Sequence, residues 1–117
     1  MIKAKVVGKK LNMLFQITDK IFSLRTSLSF PLAHIVDVTQ NPEVAKRPKG
    51  VRMPGTYIPG ILTAGTYVSN GKKVFWCVRR PSNAVIITLK NERFSQLIFE
   101  VQDPAKLIDQ INLARSI

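Results

Sequence analysis

Apolar and polar positions alternate along residues 10–17, where Leu11, Met13, Phe15 and Ile17 share one face and Asn12 and Gln16 the other. Together with the apolar run Ile2–Val7 before Gly8-Lys9, this period of two reads as a hairpin of half-buried strands. Leu14 interrupts the alternation, so cover on both faces is expected there. Thr18 or Asp19 could cap a short helical turn with Ile21 and Leu24 or Arg25 on one side, and a continuing strand is the alternative. Ser27 to Phe30 is short and β-like, Pro31 marks a kink or corner, and Ile35 to Thr39 resumes with Ile35 alternating against Val36 and Val38. Glu43 to Arg52 is too polar for core and too broken by proline for helix, which makes it an exposed loop.

Gly50 to Tyr67 carries four glycines and two prolines in eighteen residues. Pro54-Gly55 and Pro59-Gly60 each match a type II turn, where proline presets φ and glycine accepts φ > 0. Two sharp turns five residues apart are expected. Ile61 to Val68 follows as a strand in which Gly65 marks a bulge or a close backbone approach. Asn70-Gly71 is the dipeptide of a type I′ hairpin turn, and Val74 to Val78 answers as the return strand. Arg79 to Asn83 is a loop. Ala84 to Leu89 is apolar on both faces and is expected to be a central strand. Asn91-Glu92-Arg93 turns the chain into a last strand, where Leu97, Phe99 and Val101 alternate with Gln96, Ile98 and Glu100. Asp103-Pro104 then opens a helix over about 103–115, with Leu107, Ile108, Ile111 and Ala114 on one face and Leu113 outside it.

A chain of 117 residues that is 45% hydrophobic fits one domain covering residues 1–117 and is large enough to bury a core. The order predicts a mainly β fold of about seven antiparallel strands, bent into a barrel or sandwich and capped by one C-terminal helix. The passage Phe30-Pro31-Leu32-Ala33-His34-Ile35 resembles the I-P-x-x-x-I connection between strands in bacterial pleckstrin-homology-like proteins. The helix start Val101-Gln102-Asp103-Pro104 resembles theirs too, and Gly50 to Thr56, Ile58-Pro59-Gly60 and Gly65-Thr66 look like the signature of one branch of that group. The resemblance spans nearly the whole chain and implies a strongly bent seven-stranded sheet with a capping helix, used for binding or assembly without catalysis. Phosphoinositide-binding members of the eukaryotic family carry a basic motif in and after the first hairpin. Here Lys9 and Lys10 are followed by Leu11 to Phe15 without a basic partner. That argues against specific inositol-phosphate recognition and leaves a diffuse attraction to anionic lipid.

Eighteen Lys and Arg against seven Asp and Glu give a net charge of +11, a field that draws acidic partners. The basic residues gather at turns. Lys9, Lys10, Lys46, Arg47, Lys49, Arg52, Lys72 and Lys73 are the candidate contacts for an acidic protein or an anionic lipid surface, and would add into one patch if their loops share one end. Tyr57, Ile58 and Leu113 are candidate interface residues, the last for a homo-oligomer. A small β-barrel binding nucleic acid is the alternative, with Tyr57 and Tyr67 as the stacking platforms, because Phe75, Trp76 and Phe99 read as core. Catalysis is not expected: one histidine, one cysteine and seven scattered carboxylates form no constellation, and neither a metal site nor a phosphate loop is spelled. His34 reads as a satisfied or surface side chain, and Cys77, between Trp76 and Val78, as a buried thiol. No run approaches the roughly 18 apolar residues of a membrane span, charges interrupt the N-terminus where a signal peptide's apolar region would lie, and a single cysteine suits a reducing compartment. A cytoplasmic protein, peripheral at the membrane or not, is the resulting expectation.

Overall fold

The computed structural model describes residues 2–15, 27–45, 51–58, 62–69 and 71–116. Strands β1 (Ile2–Val7), β2 (Lys10–Phe15) and β3 (Ser27–Pro31) form an antiparallel sheet in the order β1-β2-β3. Strands β4 (Ile35–Thr39), β5 (Val51–Ile58), β6 (Leu62–Ser69), β7 (Lys72–Val78), β8 (Ala84–Leu89) and β9 (Gln96–Glu100) form a second sheet in the order β4-β8-β9-β7-β6-β5. A single helical turn, α1 (Pro42–Ala45), the C-terminal helix α2 (Pro104–Arg115) and two 3₁₀ turns, Leu32–His34 and Pro81–Asn83, complete the described elements. The expected class, mainly β with one C-terminal helix, is what forms, as a sandwich-like pair of sheets not closed into a barrel.

Strand count and connectivity differ from expectation. Nine strands are present among the described residues, and the run is not wholly antiparallel, because β9 lies parallel to β7 with Val74 opposite Gln96 and Cys77 opposite Phe99. After β7 the chain lays β8 against β4 and then returns β9 into the gap between β8 and β7. Both β8 and β9, buried along almost their whole length, thereby take interior positions in the sheet. On β9, Ile98 and Glu100 are buried along with Leu97 and Phe99.

One face of the large sheet carries Phe75 and Cys77, Leu97 and Phe99, and Val85 and Ile87 in register. These pack in one core with Leu11, Met13 and Phe30 of the small sheet and with Leu107 and Ile111 of α2. Tyr67, Trp76, Val78, Ala84, Ile86 and Ile98 form a second buried cluster on the opposite face. The helix starts as expected: the N–H of Lys106 donates to Asp103 Oδ1 at 3.1 Å and Pro104 follows the cap. It packs against β1, β4 and β8, closing the open side of the sandwich.

Ile35 and Val38 are both buried while Val36 and Asp37 between them are exposed, since a register shift in β4 replaces simple alternation. Leu14 is 54% exposed, so the expected cover on its face is not there. The exposed-loop reading of Glu43 to Arg52 is also revised: residues 42–45 make a helical turn and β5 has begun by Val51, while 46–50 lie outside the described residues. The first of the two expected sharp turns is absent. Pro54-Gly55 lies inside β5, where Met53 and Pro54 stand opposite the single residue Thr66 and Gly55 faces Gly65. A proline has no N–H to give to a ladder, and an edge strand with a bulge tolerates it. The second pair, Pro59-Gly60, and the reading over residues 18–25 lie outside the described residues.

Candidate functional site

Two tight hairpins place lysines at one end of the molecule. Gly8, at φ +59°, turns β1 into β2 beside Lys9 and Lys10, and Gly71, at φ +75°, turns β6 into β7 ahead of Lys72 and Lys73. Both glycines adopt a positive φ, which costs a residue without a Cβ little and lets a two-residue turn follow the twist of the strands it joins. A chain of backbone hydrogen bonds joins these turns although they belong to different sheets. The Leu32 N–H donates to Lys9 O at 2.9 Å, and Lys90 N–H to His34 O at 2.9 Å. Leu89 N–H donates to Ser95 O at 2.9 Å, and Ser95 N–H to Lys73 O at 2.8 Å. The Pro31 corner is thus the bridge: its 3₁₀ turn, Leu32–His34, carries the chain from β3 to β4 and is gripped from both sides.

Lys9, Lys10, Lys72 and Lys73 therefore share an end with Lys90 and Arg93 of the β8–β9 connection, and all six side chains are exposed. The guanidinium of Arg93 sits 5.3 Å from the centroid of the buried Phe94 ring. Glu92 in the same connection is engaged by His34, whose Nδ1–H donates to Glu92 Oε2. Arg115, in the last turn of α2, donates from Nη2 to Val36 O at 2.9 Å and so brings the helix terminus to this end as well. The charge here is a local excess of lysine and arginine around one occupied carboxylate.

Of the residues singled out from sequence, Lys9, Lys10, Lys72 and Lys73 are brought together. Arg52 lies in β5 opposite Tyr67, so its backbone is near the same end, and its side chain lies outside the description. Lys46, Arg47 and Lys49 lie outside the described residues, as do the side chains of Tyr57 and Ile58, whose backbones are in β5. Leu113 is 69% exposed on α2. Lys90 and Arg93 were missed; their position in an Asn-Glu-Arg turn was visible, but not that this turn meets the other two. Arg79 and Arg80 stand at the far end of β7, where their N–H groups donate to Glu100 Oε1 at 2.9 and 3.1 Å.

Tyr67 is 4% exposed and stacks edge-on against Trp76 at 6.1 Å, which removes it as a platform for bases. Cys77 is buried, as its neighbours suggested. His34 is satisfied by Glu92. Among the described residues, no three His, Cys, Asp or Glu side chains gather as metal ligands, and no helix is long and apolar enough to cross a membrane.

Comparison with family models, curated proteins and solved structures finds no match to this chain.

Proposed function

We propose that this chain is a non-catalytic binding module whose basic end docks on an anionic membrane surface. The observation that carries the reading is the convergence of Lys9, Lys10, Lys72, Lys73, Lys90 and Arg93 on one end through the bonds that bridge the two sheets. Lysines near an anionic bilayer contribute about 1 kcal/mol each, so a handful is enough for peripheral attachment. Three apolar side chains lie toward the same end: Val7, 48% exposed next to Gly8, Val36, 49% exposed at the start of β4, and Leu113 near the helix terminus. Basic residues ringed with exposed apolar points suit the headgroup layer, where cations meet phosphates and short apolar side chains reach the acyl boundary. Leu113 is also a point that a second copy of the chain would cover. The pleckstrin-homology-like resemblance agrees with a binding role but bears on backbone shape alone.

The test is co-sedimentation with vesicles of zwitterionic lipid, with and without anionic lipid, across a salt series. Binding is expected to the anionic vesicles alone and to fall with salt. Changing Lys9, Lys10, Lys72 and Lys73 together to Ala should weaken it by roughly two to three orders of magnitude, from about 1 kcal/mol per lysine. Equal binding by the fourfold variant, or binding that ignores salt, overturns the reading.

A further inference from the structure

A second surface, distant in character from the basic end, lies along β1. That strand has β2 on one side and, among the described residues, no strand on the other. Between its open edge and α2 runs a cleft of about 720 Å³. Its floor is apolar, made by Ile2, Ala4, Val101 and Leu107, and its rim carries Lys3, Lys5 and Lys106. One carboxylate, Asp103, also borders it, with Oδ1 turned into the helix start to accept the N–H of Lys106.

The register determines which backbone groups face the cleft. A two-residue turn makes Val7 and Lys10 the hydrogen-bonded closing pair, and alternation then assigns Lys5 with Asn12 and Lys3 with Leu14 to the bonds with β2. The N–H and C=O of Ala4 point the other way, into the cleft. Such an edge is a template for an added strand. The dimensions agree: residues 2 to 5 of a strand and 103 to 110 of a helix each span about 10 Å.

We infer that this cleft receives an extended acidic segment of a partner protein, which adds to β1 as a fourth strand of the small sheet. The side chains decide the chemistry of the segment. Lys3 and Lys5 lie on the outer, exposed face of β1 and Ala4 on the inner one. An added strand therefore places alternate residues beside the two lysines and the residues between them over Ile2, Ala4 and Leu107. The matching pattern is acidic, apolar, acidic, at a period of two. A second copy of this chain is disfavoured as the occupant, because pairing β1 with β1 sets lysines against lysines. The cleft is separate from the basic end, and the inference does not rest on the membrane reading.

The experiment titrates the full chain with a fluorescent hexapeptide of alternating Glu and Val, at fixed salt, and follows amide exchange by NMR in parallel. The expected result is saturable binding, with exchange of the Ala4 amide slowed at least about tenfold as it gains a strand partner. A peptide of the same composition in blocked order, three Glu then three Val, should bind about tenfold more weakly or not at all. Changing Lys3 and Lys5 to Glu should abolish binding, as should Lys106→Glu in part, while each variant keeps the parent's dispersed spectrum. The fourfold lysine variant of the basic end should bind the peptide within about threefold of the parent. No binding, equal binding of the blocked peptide, or unchanged exchange at Ala4 overturns the inference. Loss in the basic-end variant instead would move the peptide there and overturn it as well.

Discussion

Glu100 shows how one residue acquires a role from its surroundings. It is 5% exposed on β9, and its carboxylate accepts the backbone N–H groups of Arg79 and Arg80 where β7 ends. Burying a carboxylate is costly unless it is hydrogen-bonded, and here two donors from a chain reversal satisfy one oxygen. Removing the side chain leaves both donors without it. Glu100→Ala should therefore lower stability by about 2 kcal/mol in urea unfolding, and Glu100→Gln, which keeps an acceptor oxygen, by clearly less. Equal losses in the two variants would mean that volume, not hydrogen bonding, is what Glu100 supplies. Nothing in the alternation of Gln96, Ile98 and Glu100 distinguishes this carboxylate from a solvent-facing one.

Among the elements, the hairpins follow most directly from local chemistry. Gly71 has a φ of +75° and open space where a Cβ would stand, so substitution there costs backbone strain and no contact. Gly71→Ala should destabilise by about 1 kcal/mol, while Gly71→Asn, which tolerates the left-handed region, should lose less than half of that. Thermal unfolding of the pair measures this directly. The Pro-Gly pairs illustrate the opposite case. Pro54-Gly55 has the composition of a turn, but β6 offers a ladder along nearly the whole of β5, and a bulge at Met53-Pro54 absorbs the missing N–H. The competing long-range pairing outweighs the local preference. In β4, similarly, the shift after Ile35 lets Val38 join Ile35 in the core, which a strict period of two forbids.

The molecule as a whole is held by the core shared between the sheets and the helix, and its surface charges stand apart from it. Phe99 is fully buried in the middle of the large sheet. Phe99→Ala should lower stability by about 3–5 kcal/mol, a large part of the roughly 5–15 kcal/mol available to a domain of this kind. Replacing the exposed lysines of the basic end should change stability by no more than about 0.5 kcal/mol. Calorimetry on the two sets of variants separates the load on the core from the load on the surface. A large loss from the lysine variants would show that the bonds bridging the sheets depend on those side chains.

Much of this was legible along the chain because it depends on neighbours a few residues apart. The β1–β2 and β6–β7 hairpins, the corner at Pro31, the two-faced apolar strand Ala84–Leu89 and the cap at Asp103 are all written in turn residues and periodicity. The lysines at the turns were equally plain, since a charged side chain at a hairpin tip has no way into a core. What periodicity does not carry is which distant strands become neighbours. The parallel placing of β9 beside β7, the burial of Tyr67 and Glu100, the gathering of Lys9, Lys73 and Lys90 at one end, and the cleft between β1 and α2 all arise from contacts between residues far apart in the chain. Those contacts depend on how two sheets and a helix bury their apolar faces together, a balance no single stretch of residues contains.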